Sequence, residues 1–165
     1  MAKRAFWKHL AGFLRSNPWV MVGARSVWQL TRPRFSVGAV GVVLNAEQHV
    51  LMVEHVFHPY VPWGLPGGWI ERNENPSVGV ARELQEELSL SVAVGPIIAA
   101  DMVGNSHLDL AYLCTPHSEV GKLSFELLQY KWYPPSDLPK THSFHRLAIT
   151  NALQHPFVAL QDNVP

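Results

Sequence analysis

Three glutamates crowd one face of a short helix with no cation interleaved among them. Residues 75–88 read NPSVGVARELQEEL. Asn75 suits the N-cap of a helix and Pro76 its first turn. At about 100° per residue, Val78, Ala81, Leu84 and Leu88 share one face. Glu83, Glu86 and Glu87 share another, because positions three and four apart are neighbours. Like charges at that spacing cost a helix roughly 0.2–0.5 kcal/mol per pair. Arg82 lies off the cluster. A hard cation turns such repulsion into ligation, and Mg²⁺ takes oxygen ligands while keeping several waters. A solvated acidic face is the plainer alternative for the helix taken alone. The loop before it, Gly64-Leu65-Pro66-Gly67-Gly68, lets backbone approach a ligand closely, and a carbonyl there offers one more oxygen. A plain tight turn would need the same glycines.

Loop and helix together carry a resemblance. Gly68, five residues, Glu74, seven residues, then Arg82-Glu83-Leu84-Gln85-Glu86-Glu87-Leu88-Ser89-Leu90 resembles the Nudix box, G-x5-E-x7-R-E-U-x-E-E-x-G-U with U a bulky aliphatic residue. Eight of nine defined positions match. At average residue usage such a match arises on the order of once per 10⁸ starting points. Leu65-Pro66-Gly67-Gly68 is similar to the family's usual lead-in. Glu126 to Trp132, followed by Asp137-Leu138-Pro139, resembles its late strand and turn. The resemblance spans roughly residues 35–155. Ser89 departs from it, standing where glycine normally follows the helix in a backbone region costly for other residues, so altered local geometry rather than lost activity is expected there. Asn73, in a spot often held by glycine, tolerates the left-handed region. No carboxylate of the box is missing.

The remaining chain sets the frame. Its 165 residues fit one domain of ordinary size. Lys3, Arg4, Lys8, Arg15, Arg25, Arg32 and Arg34 all precede the first acid, Glu47, so residues 1–34 carry +7 and the rest −7. That reads as a basic arm on an acidic body. In residues 4–15, Phe6, Trp7, Leu10, Phe13 and Leu14 recur at helical spacing, predicting an amphipathic helix ended by Asn17-Pro18. Docking on its own domain or on a second subunit, as in a homodimer, is the leading reading of that arm. Peripheral contact with an anionic membrane is the lesser one. No segment reaches the length of a membrane span, the N-terminus does not read as a signal peptide, and the lone Cys114 excludes an internal disulfide. A cytoplasmic location is expected.

In the body, residues 35–44 and 49–57 read as strands of a hairpin, followed by a loop over 59–68 and the helix. Strands are expected over 90–103, 108–114 and 125–133, and a last helix over 144–154. The expected architecture is a mixed α+β sheet with helices on both faces, the α/β/α sandwich that the Nudix resemblance implies. Its expected extent is residues 35–158, with 159–165 a tail.

What the resemblance implies chemically is metal-assisted hydrolysis of a phosphoanhydride in a nucleoside diphosphate linked to another moiety. The cofactor would be Mg²⁺ or Mn²⁺ and the partner a small nucleotide. By matching position, Glu86 and Glu87 would be metal ligands, with the Gly67 carbonyl a further candidate. Glu83 would be a ligand or the general base. Arg82 would fix the carboxylates, braced by Glu74. Outside the box, Glu126 is the candidate late acid, with Glu119 its competitor. On the substrate side, Gly68 belongs to the loop, and His55 and His58 stand near a strand end, read first as plain surface positions and second as groups facing a phosphate. Trp63 reads first as core packing and second as a stacking surface. Two other functions compete: a non-catalytic nucleotide-binding or regulatory domain of the same fold, and an enzyme removing the 5′ pyrophosphate of RNA. The interleaved aromatics and short arm argue against a stable nucleic-acid partner. The stretch 102–110 lacks the proline of ADP-ribose hydrolases and the tyrosine of dinucleoside polyphosphate hydrolases. Neither the coenzyme A motif nor the NADH-type motif appears, so the substrate moiety stays open.

Overall fold

The structure is a computed structural model and describes residues 2–32 and 34–155. The tail expected over 159–165 lies outside them. The chain divides into two compact units, Met1–Arg34 and Phe35–Pro165.

The first unit holds two helices, α1 (Ala2–Ser16) and α2 (Pro18–Leu30). The second was not expected. Pro18 does end α1, but with its φ already helical it also occupies the first turn of α2, where its missing N–H costs nothing. Phe6, Trp7, Phe13, Trp19 and Trp28 are exposed, and the Arg32 guanidinium lies 3.5 Å from the centre of the Trp28 ring. No helix among the described residues is long and apolar enough to cross a membrane.

The second unit is built on two sheets. One runs in the order β4 (Gly67–Trp69), β1 (Ser36–Val43), β6 (His107–Pro116), β5 (Val92–Val103), with β1 and β6 parallel and the other pairs antiparallel. The other is antiparallel, in the order β3 (Trp63–Gly64), β2 (Val50–His55), β7 (Leu127–Tyr133). The expected hairpin is therefore corrected. The chain does turn at residues 45–48, with the Gln48 amide donating to the Asn45 carbonyl. Beyond one bridge, Leu44 to Val50, the two strands separate into different sheets. Their buried faces find more distant partners, which a local pattern does not reveal.

Period-two alternation sorts the core. On β1, Ala39 and Val43 face helix α3 (Pro76–Leu88) in one cluster with Val80, Leu84, Leu88, Tyr112 and Cys114. Val42 faces the other way, joining Ala111, Leu113 and Phe144, Ala148 and Ile149 of α4 (Ser143–Leu153). Strand β2 splits likewise, Leu51 and Val53 to the first cluster and Val50 and Met52 to the second. All four are fully buried, as a strand covered on both faces must be. Helices thus close both faces of the sheets, and α3 carries the glutamates in from one of them.

Candidate active site

Helix α3 begins as its sequence dictates. Asn75 has extended backbone and its side chain accepts the Ser77 amide at 3.1 Å. Asn73, just before, has φ 67°, the left-handed conformation that suits Asn. Val80, Leu84 and Leu88 are completely buried and anchor the helix, whereas Val78 is 58% exposed. Val78 is thus displaced from the expected apolar face, and Glu87 sits beside it instead, only 6% exposed. The far end is held by Ser89 at φ 49° and ψ 35°, so the left-handed geometry is kept without glycine and the altered geometry expected there does not occur. The Ser89 hydroxyl donates to the Lys122 carbonyl at 3.0 Å, which offsets the cost of that backbone conformation. The amides of Gly121 and Ser124 donate to the Leu88 and Glu87 carbonyls and satisfy helix-end acceptors.

The glycine loop meets this helix at close quarters. Gly67 has φ 141°, and a side chain there would strike the Ala39 carbonyl. Gly68 has no room either: a Cβ would sit 2.6 Å from Cδ of Glu83. The Gly67 amide donates to Oε2 of Glu87 at 3.0 Å, so the loop is tied to a buried carboxylate of the helix. Behind them Arg82, expected to lie off the glutamate cluster, is fully engaged with it. Its Nε and Nη2 donate to the two oxygens of Glu74 at 2.9 and 3.1 Å, and Nη1 reaches Glu83 and Glu86 at 2.9 and 3.1 Å. The Arg82 hydrogen bond holds the Glu74 carboxyl below its ordinary range.

Gly67, Gly68, Glu83, Glu86, Glu87 and Glu126 line one cavity of about 410 Å³. Glu126 arrives from the turn before β7, brought near by its carbonyl accepting the Val56 amide. Burial pushes Glu87 up to about 8, with Glu83, Glu126 and Glu86 adding repulsion and the Gly67 amide opposing it. Burial also raises Glu83, with Arg82 opposing. His55 reaches the same cavity, and burial together with His58 lowers it to about 4, so its imidazole is neutral near pH 7. Glu119 is elsewhere, lining a separate cavity with Trp132. Trp63 packs edge-on to Tyr133 at 5.3 Å and is not part of the carboxylate cavity.

Four carboxylates sharing one cavity are a hard-cation donor set by chemistry. Among the described residues no three His, Cys, Asp or Glu side chains are already gathered as ligands. The contacts explain why: Arg82 draws Glu83 and Glu86 to itself, and the Gly67 amide draws Glu87. The residues fit a divalent ion, with side-chain reorientation needed to hold it.

A model of the NUDIX domain matches residues 34–152. The chain belongs to the Nudix hydrolase family. Nudix hydrolases are typically pyrophosphatases acting on nucleoside diphosphate derivatives and generally use divalent metal ions. A MutT-like protein of Streptomyces ambofaciens is 30% identical over 107 residues, 64% of this chain and 68% of that protein. Nudix hydrolase 8 of Arabidopsis thaliana is 31% identical over 107 residues, but this chain spans only 29% of its length. The fold is similar to that of an ADP-ribose pyrophosphatase from Streptococcus suis, at TM-score 0.61 and 20% identity over 73% of this chain and 92% of that one. It is also similar to a UDP-X diphosphatase, at TM-score 0.63 and 15% identity over 79% and 70%.

Within this Nudix site, sequence reasoning overlooked three contributors. Trp69 and Phe57 line the carboxylate cavity, and the Leu65 amide donates to Nδ1 of His145 at 3.1 Å, fixing the loop from α4. For Trp69 a signal existed, since it directly follows the glycine pair. For His145 none did, because the contact joins positions 80 residues apart.

Proposed function

We propose that this chain hydrolyses the phosphoanhydride of a small nucleoside diphosphate derivative at the cavity lined by Glu83, Glu86, Glu87 and Glu126, with Mg²⁺ or Mn²⁺ as cofactor. The observation that carries it is the tie between the Gly67 amide and Glu87, which sets the glycine loop against a carboxylate cluster of full Nudix composition. Glu86 and Glu87, with the Gly67 carbonyl, are the groups proposed to hold the ion. Bound there, a divalent ion neutralises phosphoryl oxygens and makes water a better nucleophile. The chain's own groups do the rest. Arg82, anchored by Glu74, sets the carboxylates in place. Glu83 or Glu126 takes the proton from the attacking water as its oxygen bonds to one phosphorus and the bridging P–O bond breaks. Gly68 leaves room for the Glu83 carboxylate, and neutral His55 offers a hydrogen bond to the diphosphate without adding charge. The 1–34 arm is outside this chemistry, with a cytoplasmic enzyme and a homodimer through the arm as the accompanying proposals.

The test offers the purified chain nucleoside triphosphates, nucleotide sugars, ADP-ribose and dinucleoside polyphosphates with Mg²⁺ or Mn²⁺, reading the nucleotide products directly by ion-exchange chromatography. Turnover of at least one, abolished by chelator, is the expected result. Tight nucleotide binding without turnover would make the chain a binding module. Cleavage confined to 5′-triphosphorylated RNA, weakening steeply with salt and with removal of residues 1–34, would make it an RNA enzyme.

A further inference from the structure

An indole ring stands in the wall of the carboxylate cavity, 64% exposed yet tied down on several sides. Trp69 lies on β4 opposite Gly38 of β1, and the next amide, Ile70, donates to the Val37 carbonyl at 2.9 Å. Its own carbonyl accepts Nη2 of Arg82 at 3.2 Å. Its ring leans on the His107 imidazole, centroids 4.6 Å apart. That imidazole is itself pinned at both nitrogens, Nε2 to Oδ1 of Asp109 and Nδ1 to the Ser36 hydroxyl, each at 2.8 Å. The arrangement needs glycine at position 38, where a Cβ would sit 2.6 Å from the Asp109 oxygen and 3.1 Å from Nε2 of His107. A single exposed apolar side chain is ordinary on a protein surface. An exposed indole backed by a histidine with both nitrogens engaged, in a cavity otherwise rich in carboxylates, is not explained by core packing. Phe57, 65% exposed, lines the same cavity.

We infer that Trp69 is the stacking platform for a planar heteroaromatic ring of the substrate, a nucleobase, and that His107, Asp109 and Ser36 are the positioning residues that hold it. The inference rests on the proposed nucleotide substrate and deepens it: the ring half of the ligand lies against the indole while the diphosphate half meets the carboxylates. Aromatic stacking tolerates every base, because each has a π face. The platform therefore selects for a ring without choosing among bases. Its loss should weaken binding roughly ten- to a hundredfold.

The experiment leaves out both phosphate and metal, so that it reads the platform alone. Adenosine, guanosine, cytidine and uridine are titrated into the full chain in chelator, with ribose as the ringless control, and binding is followed by saturation-transfer NMR. The wild type should bind nucleosides and not ribose. Trp69→Leu should weaken binding at least about tenfold, Trp69→Phe should restore it to within a few-fold, and Asp109→Asn should fall between, with thermal melts confirming that each variant is folded. Nucleoside binding by folded Trp69→Leu equal to wild type overturns the inference, as does wild-type binding of ribose equal to that of nucleosides, or no nucleoside binding at all. Should the leucine variant not fold, equal binding by wild type and Asp109→Asn overturns the positioning chain. A chain that hydrolyses nucleotides but binds nucleosides without Trp69 keeps its proposed function and loses the platform; one that stacks nucleosides on Trp69 but hydrolyses nothing does the reverse.

Discussion

The Gly67 amide donates to Oε2 of Glu87 at 3.0 Å, joining the tightest point of the glycine loop to the most buried carboxylate of the helix. Burial holds Glu87 at about 8, so in the ion-free protein its negative charge is a cost to folding rather than a gain. Glu87→Gln should remove that cost and leave the ion-free protein at least as stable as wild type near pH 8. Turnover should fall on the order of 10²–10³-fold, the scale of losing one electrostatic stabiliser. Urea unfolding in chelator, alongside kcat, checks both.

The two glycines of the loop should fail in different ways. At Gly67 an added methyl meets backbone and must adopt φ 141°, so Gly67→Ala should cost about 2–4 kcal/mol of stability. At Gly68 the obstacle is the end of a flexible side chain, Glu83. Gly68→Ala should fold with a melting temperature near wild type while activity falls at least about tenfold, since a small displacement at a reacting centre is costly. Melting curves beside initial rates separate the two outcomes.

Much of this site was legible because its parts are close in sequence. The spacing from Gly68 to Leu90 places loop, helix and carboxylates within one stretch, and the Asn75 cap follows from local chemistry, whereas the left-handed Ser89 does not, because the carbonyl that its hydroxyl reaches belongs to Lys122, 33 residues away. What stayed hidden depends on contacts between distant segments. His107 reaches Trp69 only because β6 pairs parallel to β1 and Gly38 leaves it space. The separation of β1 from β2 likewise follows from pairing with β6 and β7, which turn chemistry at residues 45–48 cannot foretell. Helix α2 was missed for a local reason: Pro18 reads as a stop in one direction and a start in the other.

Ser89 supplies a balance of two small terms. Its left-handed backbone costs about 1 kcal/mol, and its hydroxyl bond to the Lys122 carbonyl returns a similar amount. Ser89→Gly should therefore be neutral to within about 0.5 kcal/mol. Ser89→Ala keeps the backbone cost and loses the bond, so it should destabilise by about 1 kcal/mol. Denaturant midpoints of the pair decide it.

His145 predicts an acid-side weakness. Burial, with His142, His55 and His58 nearby, lowers it from 6.5 to about 4, and its Nδ1 must stay unprotonated to accept the Leu65 amide. With the folded value below the unfolded one, the unfolded chain takes up the proton first. The stabilisation is complete above 6.5 and is lost as pH falls toward 4. Between pH 7 and pH 5 this single group should cost about 2 kcal/mol. Unfolding free energies of wild type and His145→Gln at the two pH values should show a smaller acid loss in the variant.

The carboxylate cluster as an ion site is tested most directly by Mn²⁺ binding, followed through the electron paramagnetic resonance signal of the free ion, for wild type and Glu87→Gln at equal concentrations. The wild type should bind Mn²⁺ saturably, and the variant at least about tenfold more weakly. Equal affinity in the two proteins, or no binding by the wild type, would contradict the site.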